Sequence, residues 1–137
     1  MSNARNIAGI TTDAVNASGE LVPVYACRAW VNFSGGQEES DNSSPETNDP
    51  LYIRDHANID SVIWDSNGNY TVNFAYDMPH ENYCVAATHT HTIANSSGYS
   101  CKVKTSSDYN VSYVKIVTAS TADAYFNYDM VNVAIFC

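Results

Sequence analysis

Residues 59–74 read as two runs of strand-forming residues around an Asn-Gly pair. Asn67 and Gly68 both tolerate positive φ, so the pair predicts a two-residue type I′ turn and a hairpin whose register can be counted outward. Ser66 then faces Asn69, Trp64 faces Thr71 and Ile63 faces Val72, which groups Ile63 with Tyr70, Val72 and Phe74 on the core side. Composition extends this choice of sheet to the whole chain. There are 13 Val, 8 Ile and 10 Tyr against 2 Leu, and the helix builders Glu, Lys and Gln are scarce. A calcium-loop reading of residues 65–69 fails, because Gly68 falls at the fourth loop position and Tyr76 occupies the twelfth, where a bidentate Glu is required.

Further strands are expected where alternation recurs. Residues 24–33 place Tyr25, Cys27, Ala29, Val31 and Phe33 on one face. Residues 83–92, 100–104, 111–118 and 131–136 continue the series, with a turn at 95–98. About seven or more strands with short polar turns predict an all-β antiparallel β-sandwich over residues 24–137. Residues 1–23 lack a sustained period and are expected to form an N-terminal arm for attachment or trimerisation. The 137-residue length suits one core.

Net charge excludes some partners. With 6 Lys+Arg against 15 Asp+Glu, the chain carries −9 at neutral pH, so the cationic surface needed for nucleic acid or an anionic membrane is missing. No apolar run reaches the length of a membrane span, and the start lacks the apolar stretch of a signal peptide, so synthesis as a soluble cytoplasmic product is expected. The four cysteines contain no C-x-x-C pair. Reduced, buried thiols are the expectation for that compartment, and Cys27 with Cys137 is the first candidate if a bridge forms.

Chemistry-bearing residues are few. No nucleophile elbow, metalloprotease helix, Walker loop or dinucleotide fingerprint occurs, and the expectation is a protein that is not an enzyme and has no cofactor. Residues 34–50 form a polar loop carrying Glu38, Glu39, Asp41, Glu46 and Asp49, long enough to suspect partner contact and expected to be peripheral to folding. Tyrosines gather in the last third. Rigid amphipathic rings beside Asn and Ser suit recognition, which makes Tyr99, Tyr109 and Tyr125 binding candidates together with Glu38, Glu39 and Asp41. His89 and His91 share a strand face with Val85 and Ala87. Two imidazoles do not close a metal site, whereas six around a homotrimer axis would offer octahedral coordination to a transition metal. Two hydrogen-bonded surface histidines are the plainer reading.

Cys27 to Phe33 (CRAWVNF), then Ile53-Arg54, Asn58 to Val62, Asp65, Gly68, Tyr70 to Phe74 (YTVNF), Met78-Pro79 and Tyr83 together resemble a recurring tailed-phage domain. That domain is similar to the C-terminal module of tail fibre and related virion structural proteins, and Val131 to Phe136 is similar to its closing strand. The resemblance implies a virion component made in the bacterial host cytoplasm, commonly homotrimeric and joined to other virion proteins. Its loops would meet a glycan or protein of the host surface, and it brings no catalytic residues. The alternative is a capsid-decorating or tail-adaptor protein without host contact. The long acidic loop after Phe33 and the Asp55-His56 pair depart from the pattern.

Overall fold

The computed structural model describes residues 13–15, 21–23, 27–41, 43–90, 100–120 and 124–137. Within them lies an antiparallel β-sandwich of two four-stranded sheets, as the alternation predicts. A short antiparallel pair, β1 (Asp13–Val15) and β2 (Leu21–Pro23), occurs in the segment expected as an arm. The first sheet contains β3 (Cys27–Glu38), β4 (Leu51–Ala57), β7 (Cys84–Thr90) and β10 (Met130–Phe136), in the order β4-β3-β10-β7. The second contains β5 (Ile59–Ser66), β6 (Asn69–Phe74), β8 (Ser100–Val103) and β9 (Tyr113–Ala119), in the order β5-β6-β9-β8. A 3-10 turn, Ser106–Asp108, interrupts the link between β8 and β9.

The core is the space between the sheets. Ala29, Val31 and Phe33 of β3 and Val131, Val133 and Ile135 of β10 point inward from the first sheet, and Tyr70, Val72, Val114 and Ile116 meet them from the second. Phe33 packs edge-on to Tyr70 with ring centroids 5.2 Å apart, the geometry that the ring quadrupoles favour. Asn58 joins the sheets. As the single residue between β4 and β5 it adopts φ 55°, which Asn tolerates, and its side chain accepts from Tyr76 N at 2.8 Å and donates to Arg28 O at 3.2 Å.

Several local expectations are corrected. Asn67 does not have positive φ; only Gly68 does, at 65°, so the hairpin turn is not type I′. A bulge lies between Trp64 and Ser66, and beyond it Trp64 pairs with Tyr70, Ile63 with Thr71 and Val62 with Val72. One extra residue in a strand reverses every face that follows, so Val62 is fully buried where Ile63 was expected. A second irregularity, between Ile135 and Phe136, pairs Phe136 with Cys27 and turns Cys27 to the solvent. β3 and β10 are neighbours, yet all four cysteines are free. β3 also continues five residues past Phe33, since Ser34 and Gly35 are buried and Gly35 N donates to Tyr128 O at 2.8 Å. β4 fell within no expected strand. The residues 24–26 and the turn at 95–98 lie outside the described residues.

Burial has a pH consequence. It pushes the phenols of Tyr70 and Tyr83 and the thiol of Cys101 up to about 12. Each group stays protonated in the fold after its unfolded counterpart has begun to ionise, so the unfolded chain binds fewer protons and stability falls as pH rises. Thermal transitions measured from pH 7 to 12 are expected to hold steady to about pH 8 and then fall towards pH 12. A flat profile across that upper interval would refute the assignment of these side chains to the interior.

Candidate functional site

Residues 39–41 and 43–50 form a built loop. β3 carries the chain to Glu38, whose backbone N–H donates to Ser43 O at 2.9 Å, and its carboxylate accepts from Ser40 Oγ at 2.8 Å and Ser43 Oγ at 3.0 Å. Asp41 accepts from Ser43 N at 2.8 Å, and hydrogen bonding from Ser43 holds its carboxyl below the usual range. Asp49 in turn accepts from Glu46 N at 2.7 Å. The loop is stitched to β5 by two backbone bonds at 2.9 Å, Asn48 N to Trp64 O and Trp64 N to Asp49 O, and Glu39 N donates to Pro50 O. Its second half therefore belongs to the sheet architecture, contrary to a wholly peripheral role. The first half, with Glu39, Ser40 and Asp41, is exposed.

Residues 124–129 cross the same end of the sandwich. Ala119 bridges Tyr125, and Phe126 N donates to Thr118 O at 3.2 Å. Asn127 Oδ1 gathers Gly68 N at 2.8 Å, Trp64 Nε1 at 3.1 Å and the Tyr70 hydroxyl at 3.2 Å. This one acceptor ties the crossing segment to the hairpin turn and to the residue on which the acidic loop is anchored. The end is thus a preorganised surface, with carboxylates held by hydroxyls and the backbone beneath them held by Asn127.

The sequence candidates divide by position. Glu38, Glu39 and Asp41 share the loop, and Tyr125 stands at the same end. Tyr109 does not join them: it lies half-buried at the opposite end, its ring 5.2 Å from that of Tyr83, and it bridges Val114. Tyr99 and His91 fall outside the described residues. His89 points to the core side with Val85 and Ala87, as the alternation predicts, and its ring lies flat on Tyr128 at 4.0 Å. That stacking packs one face of the imidazole against the Tyr128 ring. Among the described residues no group of three or more His, Cys, Asp or Glu is placed to hold a metal ion.

Sequence reasoning missed a second surface. On the outer face of the first sheet, Cys27, Trp30, Ala86 and Ala134 line a broad, mostly apolar groove of about 460 Å³, with Thr88 and Asn132 towards one end. Trp30 and Phe136 are both more than a third exposed beside it. Across the polar end, Asn32 Nδ2 donates to Asn132 Oδ1 at 2.8 Å, and Arg54 Nη2 reaches Asp129 Oδ1 at 3.0 Å. The available signal was the outward series Trp30, Asn32 on β3 and Asn132, Ala134, Phe136 on β10, whose significance depends on knowing that the two strands pair. Compared with family models, curated proteins and solved structures, the chain matches none.

Proposed function

We propose that the chain is a non-enzymatic virion structural protein of a tailed phage, a tail fibre or fibre tip that assembles as a homotrimer with other virion proteins and contacts the host surface. The observation that carries this reading is the exposed acidic loop held rigid by its own hydroxyl and backbone bonds, Glu38 to Ser40 and Ser43 and Asp41 to Ser43. A loop already ordered in the free protein loses little conformational entropy on binding, which is what recognition by a small loop requires. The resemblance of residues 27–33 and 70–74 to phage fibre modules supplies the biological setting, with the protein made in the host cytoplasm and carried on the virion.

A capsid-decorating or adaptor role is the second reading, favoured by the apolar groove between Trp30 and Ala86, which suits a protein partner. One experiment separates them. Host cells pre-incubated with the purified protein are expected to adsorb fewer phage, and the triple variant Glu38→Gln, Glu39→Gln, Asp41→Asn is expected to lose that block while its thermal transition stays within a few degrees. Unimpaired adsorption with the wild-type protein would favour the decorating role.

A further inference from the structure

Although the chain carries −9 overall, all three of its lysines stand on one surface. Lys102 of β8 pairs with Val117 and Lys115 of β9 pairs with Thr71, on the outer face of the second sheet, while Cys101, Val103, Val114 and Ile116 alternate with them towards the core. Lys104 follows directly after β8, its ammonium 4.9 Å from the centre of the Tyr125 ring. Elsewhere, Arg54 is bonded to Asp129 and Arg28 is half-buried on the other sheet.

Between the lysines lies a depression of about 250 Å³, lined by Lys104, Lys115, Asp65, Asp108, Ser66 and Asn69. Its carboxylates are oriented. Asp65 accepts from Thr71 Oγ1 at 2.8 Å, with Lys115 Nζ at a looser 3.9 Å, and Asp108 accepts from Thr105 N at 2.9 Å and Thr105 Oγ1 at 2.6 Å. Carboxylate, amide, hydroxyl and lysine side chains therefore line one shallow hollow, with the Lys104 ammonium beside the Tyr125 ring and that of Lys115 beside Asp65.

We propose that this depression binds a single acidic sugar residue, a pyranose ring bearing one carboxylate. The sugar's carboxylate would take charge-assisted bonds from Lys104 and Lys115, and its ring hydroxyls would donate to Asp65 and Asp108 and exchange bonds with Asn69 and Ser66. A neutral sugar forgoes the ammonium contacts. A dense polyanion meets two carboxylates and the repulsion of the whole chain. The volume, below the ~300 Å³ at which drug-sized pockets begin, matches one ring. The assignment does not rest on host contact through the acidic loop, which is a different surface.

The test is an amide-shift titration of the isotope-labelled full chain with methyl β-D-glucuronide and with methyl β-D-glucoside, which differ at the C6 carboxylate. The glucuronide at millimolar concentration is expected to move the amides of Asn69, Lys104 and Lys115, less so as salt is added, and the glucoside to leave them in place. The variant Lys104→Gln, Lys115→Gln, with an unchanged thermal transition, is expected to bind the glucuronide roughly fivefold or more weakly. Equal response to both sugars, full binding by the double variant, shifts confined to other surfaces, or no shift at tens of millimolar glucuronide would each overturn the assignment.

Discussion

Gly68→Ala is expected to be among the most damaging single substitutions on the exposed end of this fold, lowering the unfolding free energy by about 3 to 4 kcal/mol, from a left-handed backbone cost of ~1–2 and overpacking of ~1–3. Gly68 holds φ 65°, and a Cβ there would come within 2.6 Å of Thr118 O and 2.7 Å of Phe126 N. Both neighbours are backbone, so a change of rotamer relieves nothing. They are also bonded to each other at 3.2 Å, and Gly68 O itself accepts from Thr118 N at 2.8 Å, so retreat of either strand breaks a ladder bond. The midpoint of thermal unfolding should drop by on the order of 10 °C. Gly36→Ala is the control, since its Cβ would meet only Asn127 Cβ, at an ordinary 3.6 Å. If the two variants unfold at the same denaturant concentration, the close approach at Gly68 does not constrain the fold.

That contrast also explains which parts of the molecule sequence could reveal. Tyr70, Val72 and Phe74 were legible because a period of two is a local property, and burial of that face follows from it. The bulge before Ser66 left no comparable mark, and a one-residue slip was enough to exchange Ile63 for Val62 in the core. β4 was lost for a different reason: it is an edge strand whose Asp55, His56 and Ala57 face solvent, the polar dressing that protects a sheet edge and erases its apolar signature. Of the residues that carry the phage resemblance, Ala29, Val31, Phe33, Tyr70, Val72, Phe74, Met78 and Tyr83 are buried, whereas Cys27, Trp30, Asp60 and Pro79 are exposed.

Site residues follow the same logic. Glu38, Glu39 and Asp41 could be grouped because an acidic loop is contiguous in sequence. The lysine face had a sequence trace as well, three lysines within residues 102–115 of an otherwise acidic chain, but its carboxylate Asp65 arrives from another strand. Asn127 was beyond reach. Its partners Trp64, Gly68 and Tyr70 are 57 to 63 positions away, and nothing in the flanking residues distinguishes it from the chain's other asparagines.

Asn127→Ala is expected to cost about 2 to 3 kcal/mol, because it strips one acceptor from three donors at once and each partly buried donor left unpaired carries a penalty of about 1 kcal/mol or more. The donors are the Gly68 amide, the Trp64 indole and the Tyr70 hydroxyl, at 2.8, 3.1 and 3.2 Å. The hydroxyl has a second acceptor in Gly35 O at 3.4 Å, so it recovers part of its loss, and the amide and indole carry most of the cost. Asn127→Asp preserves an acceptor oxygen at the same place and should retain more stability than the alanine variant, which a change in side-chain volume alone would not predict. Urea unfolding of the two variants, alone and combined with Tyr70→Phe, measures this directly. With the slope m unchanged, the midpoint should fall further for alanine than for aspartate. The Tyr70→Phe effect should shrink in the Asn127→Ala background, since the bond that each removes is shared. Additive effects, or equal losses for alanine and aspartate, would mean that the crossing segment is held by its backbone bonds to Gly35 and Thr118 and not by the Asn127 carboxamide.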